Sequence, residues 1–247
     1  MSSQDWATNI PVGRDTMSSR LESATNYHRW TYEWIERHVR GRILDIGGGT
    51  GNHLAFLKGA HIHSVDVSEH TVDELRSRHR DVPNWSFEVG DIVDPALVER
   101  LRPASFDTVL SCNVFEHIER DDVAFDHAAK LLKLDGNLVL LLPAHQRLYG
   151  SMDRLAGHFR RYSREQIRMR LHSVGLEPVV LRYVNLVGAI GWFVNNRLVS
   201  HRDLSSSSIN GQIAVFDRLL IPVLRRIERG RSVPFGQSLV CVARKPS

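Results

Sequence analysis

The chain has 247 residues, 42% of them hydrophobic and 24% charged. That balance provides for one large core, or one domain with a cap, and excludes a disordered tail, a collagen-like fibre and a disulfide scaffold. Lys and Arg number 32 against 28 Asp and Glu, a formal charge of +4 without any Lys/Arg-rich run, so an anionic ligand is admitted and nucleic acid is not demanded.

In chain order, residues 1–24 read as polar and loosely packed, with no apolar leader core. Apolar and aromatic residues at helical spacing predict a helix over 27–39, closed by Gly41. Strand, turn and helix then alternate. A buried strand at 42–46 leads through a glycine-rich turn to a helix over 52–58. A strand over 61–67 is followed by a helix over 69–80 that Ser68 caps. Further strands fall at 85–89, 106–112 and 137–142, the last entered by Asp135-Gly136, with intervening helices at 95–101 and 121–132. Parallel pairing with right-handed crossovers follows, an α/β doubly wound sheet with ligands at the carboxyl ends of its strands. The last third reads as a helix over 163–173 opened by a Ser163/Gln166 capping box, a strand over 177–183, helices over 187–198 and 213–228, and a closing strand over 237–244. Pro222 should kink or split the last helix. Ser205 to Ser208 reads as a loop. The chain divides into an N-terminal helical segment, 1–40, and one domain, 41–247. Within that domain 184–236 is a helical insertion before the last strand, suited to covering a substrate.

Two cysteines, Cys112 and Cys241, lie in apolar segments without CxxC or metal-ligand spacing. They read as buried free thiols of a reducing compartment, and no metal is expected. The longest apolar stretch, near 187–194, is too short to cross a bilayer. The expectation is a cytoplasmic protein without stable membrane insertion. Peripheral membrane contact and homodimerisation are both compatible with the sequence.

The strongest local signal is Leu44-Asp45-Ile46-Gly47-Gly48-Gly49-Thr50-Gly51-Asn52. Gly47, Gly49 and Gly51 let the backbone turn tightly and approach a ligand, and the loop delivers amide donors. Read from Gly47, the sixth position is Asn52, so the dinucleotide fingerprint fails, and no Lys-Ser/Thr follows to make a phosphate loop. Asp66 ends the second strand, where an acid can accept both ribose hydroxyls. Asp91 and Ile92 follow the third strand, where a carboxylate can take an adenine amino group. Cys112 and Asn113 end the fourth, ahead of Glu116 and His117. Four strand ends converge on one adenosine-like ligand without a phosphate site.

These residues, over about 42–142, resemble the class I S-adenosylmethionine-dependent methyltransferases. The resemblance implies a mostly parallel, seven-stranded Rossmann-like sheet ending in an antiparallel strand, with S-adenosylmethionine as cofactor. It implies that the Gly47–Gly51 loop passes the methionine end and Asp45 orients it. Asp66, with Val67 beside it, would hold the ribose, Asp91 and Ile92 the adenine, and Cys112 and Asn113 the sulfonium side. The family's strand order also keeps Cys112 and Cys241 apart, against a disulfide.

The acceptor is less legible. Arg160, Arg161, Tyr162, His145, Tyr149 and His158 cluster after the fifth strand and suit an anionic head group. Alternatively, the two arginines pair with acids. With an apolar insertion, the expectation is a small-molecule acceptor, apolar or isoprenoid/lipid-like, carrying a phosphate, diphosphate or carboxylate. His117, His145, His158 and Tyr149 are the candidate bases. Aminopropyl transfer would want more acids for a polyamine. A non-catalytic cofactor-binding subunit would show lost cofactor residues, and none is obviously lost.

Overall fold

A computed structural model describes residues 24–57, 61–198, 214–228 and 233–247. Its elements are α1 (Thr25–Glu33), β1 (Arg42–Ile46), β2 (His61–Asp66), α2 (Glu69–Arg78), β3 (Trp85–Val89), α3 (Pro95–Leu101), β4 (Phe106–Cys112), α4 (Asp121–Leu131), β5 (Leu132–Pro143), α5 (Ser151–Leu155), α6 (Arg164–Ser173), β6 (Glu177–Val184), α7 (Leu186–Leu198), α8 (Ile221–Glu228) and β7 (Ser238–Arg244). The seven strands form one sheet in the order β3-β2-β1-β4-β5-β7-β6. The first five pair in parallel, and β7 runs antiparallel between β5 and β6.

Burial explains this arrangement. Leu138 to Leu142 are all buried, an unbroken apolar run of the kind a central strand covered on both faces requires. Local chemistry sets the helix starts. Ser68 Oγ accepts from Thr71 N at 3.2 Å, and Asp94 accepts from Ala96 N at 2.9 Å ahead of Pro95. The capping box at α6 is formed in both directions, Ser163 Oγ taking Gln166 N and Gln166 Oε1 taking Ser163 N.

Several boundaries differ from the sequence reading. The helix expected at 52–58 is one 3-10 turn, Leu54–Phe56. Its N–H groups reach back three residues, Leu54 to Gly51 and Leu57 to Leu54, after a glycine in the left-handed region. The first helix stops at Glu33, and a 3-10 turn follows at Glu36–His38. β5 begins at Leu132, absorbing the bend at Asp135. Helix α5 was not signalled by any periodicity. Pro222 does split its helix: a π-turn over Phe216–Leu220 precedes α8, and Pro222 has no N–H to offer residue 218. The expectations for 1–23, for Lys58, for the 205–208 loop and for Ile213 lie outside the described residues.

β5 separates β4 from β7, so Cys112 and Cys241 are apart and both are free. Helix α1 packs on α8 through Trp30, Ile221 and Leu224. Asp217 caps α1 from the other side of the sequence, accepting from Tyr27 N at 2.8 Å and Asn26 Nδ2 at 3.2 Å. Glu228 in turn accepts from Asn185 N and Leu186 N where α7 begins. Asp217→Ala should therefore cost about 1–2 kcal/mol, read as a lower urea midpoint. An unchanged midpoint would show that this cap contributes nothing to docking α1.

Candidate active site

Strands β3, β2, β1 and β4 are neighbours in that order, which lines up their carboxyl ends. Asp45, one residue before the end of β1, is buried, and its Oδ2 accepts from Ser64 Oγ at 2.7 Å. Burial raises its carboxyl to about 6, against the Ser64 hydrogen bond. At the loop's first glycine, φ is +75°, and an added Cβ would lie 2.3 Å from Val114 Cγ2. Only glycine fits there. Asp66 Oδ2 accepts from Gly49 N and Oδ1 from Ser68 N, each at 3.0 Å. Each oxygen keeps a further lone pair for a diol. Burial still raises this carboxyl despite those bonds. Asp91 Oδ1 accepts from Val93 N at 3.1 Å, and burial raises it too.

Val67 is exposed beside Asp66, whereas Ile92 is buried in the main core. The Ile92 carbonyl is held by His127 Nδ1 at 2.7 Å. Asn113 takes a left-handed φ of 55° and gives its N–H to the Leu141 carbonyl. The Cys112 thiol is pushed well up by burial, and further by the charges of Asp45 and Glu116. Three raised carboxylates and a backbone that can approach closely fit a positively charged, ribose-bearing cofactor.

Beyond β4 a 3-10 turn, Phe115–His117, opens a second cluster. Glu116 is fully buried, and neither carboxylate oxygen has a hydrogen-bond partner. Burial pushes it up to about 7, against the charges of His158 and Arg161. Burial, then the His158 charge, lowers His117 to about 3 and keeps it neutral. The rings of His117 and His158 meet edge to face, centroids 4.6 Å apart. His158 Nδ1 lies 2.9 Å from Asp153 Oδ1, and its Nε2 lies 3.9 Å from Glu116 Oε1. Asp153 is itself buried. It accepts from Arg161 Nε at 2.7 Å, Gly150 N at 3.0 Å and Trp192 Nε1 at 3.3 Å. Burial opposes its charge, yet the His158 hydrogen bond and the Arg161 guanidinium hold its carboxyl below the usual range.

The other residues singled out from the sequence have different surroundings. Arg160 pairs with Asp121 at 2.7 Å and donates to the Glu119 carbonyl. Arg161 is buried on Asp153 and lies over Trp192. Tyr162 gives its hydroxyl to Asp121 and the Phe115 carbonyl. Of the two readings the sequence leaves open for Arg160 and Arg161, the structure has the pairing with acids, each guanidinium meeting a carboxylate from another element. Tyr149 donates to the His158 carbonyl at 2.7 Å. His145 is stacked on Phe235, centroids 4.0 Å apart, and against Tyr183, so it stands apart from the His117–His158 pair. Tyr27 was read only as part of a helix face. Burial raises its hydroxyl, Ser238 opposes by a hydrogen bond, and Cys112 and Glu116 add to the rise. Nothing in its sequence neighbourhood signals this, nor that Asp153 orients His158.

Residues 44–140 match a family model described as a methyltransferase domain. The chain is similar to the mitochondrial methyltransferase OMS1 of Saccharomyces cerevisiae, 27% identical over 128 residues, or 44% of this chain and 27% of that protein. The matched region thus spans about a quarter of that relative's length. Among solved structures, one similar chain comes from the complex between the Haloferax volcanii Trm112 methyltransferase activator and a methyltransferase. It has a TM-score of 0.62 and 18% identity, over 98% of this chain and 96% of that one. Another is geranyl diphosphate C-methyltransferase from Streptomyces coelicolor A3(2), solved with Mg2+, geranyl diphosphate and S-adenosyl-L-homocysteine. Its TM-score is 0.59 and its identity 14%, over 87% of this chain and 76% of that one. Residues 44–140 thus match a methyltransferase domain, set in a fold shared with those solved structures.

Two outcomes are expected. Asp66→Ala should weaken S-adenosylhomocysteine binding by about 1–3 kcal/mol in calorimetry; equal affinity would remove Asp66 from the ribose site. Asp45 holds its proton more tightly folded than unfolded. Its contribution to stability is therefore full below its ordinary value of 3.8 and is lost as pH rises through about 6. Asp45→Asn should raise the Tm of the ligand-free protein more at pH 7.5 than at pH 4.5, and bind cofactor less tightly at pH 7.5. Identical Tm differences at both pH values would contradict the buried, strained carboxylate.

Proposed function

We propose that this protein transfers a methyl group from S-adenosylmethionine to a small-molecule acceptor. The observation that carries this reading is the placing of Asp45, Asp66 and Asp91 around the glycine turn on three adjacent strand ends. When bound, the cofactor supplies an electrophilic methyl on a sulfonium, and the acceptor attacks in line. The chain's share is positioning. Asp66 would take the ribose hydroxyls, Asp91 the adenine amino group, and the backbone at Gly47 would pass close to the methionine end. Val67 and Ile92 would supply apolar walls, and Cys112 and Asn113 the turn beside the sulfonium. Glu116, His117 and His158 would form the polar wall next to the acceptor.

Helix α7, at the start of the 184–236 insertion, would cover that wall. Trp192 of α7 supports this, since it donates to Asp153 behind His158. We favour an apolar, isoprenoid- or lipid-like acceptor. Ile190, Phe193 and Val194 of α7 leave apolar surface exposed, and the Streptomyces coelicolor neighbour was solved with geranyl diphosphate. An anionic head would need recognition other than the paired Arg160 and Arg161. A non-catalytic cofactor-binding role is not favoured, because the glycine turn, Asp66 and Asp91 stand together at adjacent strand ends. No helix among the described residues is long and apolar enough to cross a membrane; a cytoplasmic location and homodimerisation remain part of this proposal.

The test is calorimetry with S-adenosylmethionine, S-adenosylhomocysteine and NADH, then transfer of labelled methyl to a panel of prenyl phosphates, fatty acids, phenols and amines. Binding of both sulfur ligands and labelling of an apolar acceptor are expected. Absence of binding by either sulfur ligand would end the enzymatic reading.

A further inference from the structure

The geometry points to a divalent transition-metal site of the zinc type formed by Glu116, His117 and His158. Each offers one ligand atom, and the three lie within 4.8 Å of one another. Two ligand bonds of about 2.1 Å at a tetrahedral angle put their atoms about 3.4 Å apart, so an ion would draw the trio together by up to about 1.4 Å.

Three independent features point to a cation here. First, Glu116 is fully buried and neither of its oxygens accepts a hydrogen bond from another residue. A bare carboxylate removed from water is costly unless a cation meets it. Second, His117 Nδ1 is buried and meets no side-chain partner, with the Gly157 backbone beside it, so the ring has a nitrogen to offer an ion. Third, His158 turns its Nδ1 to Asp153 at 2.9 Å and its Nε2 toward Glu116 at 3.9 Å, too far for a hydrogen bond. A carboxylate on the far nitrogen is the outer support that metal-ligating histidines use to fix ring and tautomer. Asp153 is well suited to it, being locked by Arg161, the Gly150 N–H and Trp192.

The backbone keeps the two ligand segments in register. Phe159 N donates to the Glu116 carbonyl at 2.8 Å, and Tyr149 donates to the His158 carbonyl. Two imidazoles and one carboxylate leave a fourth position open, as in catalytic zinc sites, and nitrogen-rich ligation of this kind favours Zn2+, Co2+ or Ni2+ over Mg2+ or Ca2+. No sequence spacing announces the site because His158 comes from a different segment. Metal binding here does not depend on the methyl-transfer reading.

The test uses the full-length protein, stripped of metal and titrated with Co2+. One equivalent should bind, with the strong visible d–d bands of a four- or five-coordinate ion, and Zn2+ should displace it. Glu116→Gln and His158→Gln should each weaken Co2+ binding by about tenfold or more, with circular dichroism checking that each is folded. If one variant does not fold, the other decides; if neither folds, the wild-type spectrum decides. No stoichiometric binding, weak six-coordinate bands, or equal affinity in the folded variants would overturn the site and leave Glu116 and His158 as a simple ion pair.

Discussion

A carboxylate out of water must be met by a proton, a hydrogen-bond donor or a cation, and the carboxyl edge of this sheet is organised by that requirement. Asp45 has one hydroxyl, from Ser64. Asp66 has two backbone N–H groups. Asp91 has one, and Glu116 has none. The buried parallel strands force this inequality. Their own amides are spent on the ladder, so only the turns at strand ends have N–H groups to spare. Where a turn supplies two donors the acid is nearly satisfied. Where it supplies none the acid waits for an outside partner.

The same accounting separates structural arginines from functional ones. Arg161 is almost wholly inaccessible and would be ruinous if unpaired, yet Asp153 meets it at 2.7 Å and the Ala144 carbonyl takes a second N–H. Breaking such a pair by removing one partner costs far more than the pair itself contributes. Arg160 and Arg170 converge on Asp121 in the same way. These pairs hold the segment after β5 against α4, and so set where His158 sits. The cationic cluster is spent on pairing within the fold.

The legible parts of the sequence were those whose partners are near in the chain or fixed by sheet topology. The glycine turn, Asp66 and Asp91 could be read because each closes its own strand, and strand order then brings them together. The Ser163–Gln166 box could be read because both ends lie within one turn. The helix over 52–58 could not, since a glycine exit and a 3-10 turn leave the same apolar spacing as one helical turn. For Arg160 and Arg161 the sequence leaves an anion site and pairing with acids both open, because Asp121 and Asp153 lie in other elements and composition does not record pairing. Tyr27 and the Glu116–His158 approach were invisible for the same reason, being brought together by the docking of α1 and by the loop from residue 144 to residue 163.

The acidic edge therefore has two parts of different geometry. Asp45, Asp66 and Asp91 lie on adjacent strand ends, each offset from the next by two residues along the strand as well as one strand across, Asp45 standing opposite Ser64 and Asp66 opposite Val89. That spacing suits an extended organic ligand whose charges and hydroxyls are distributed along its length. Glu116 differs, because the groups nearest it are nitrogen ligands packed within 4.8 Å and backed by a second carboxylate. That compactness suits a point charge. The sheet supplies the first arrangement by its regular spacing, and the irregular segments after β4 and β5 supply the second by folding onto each other.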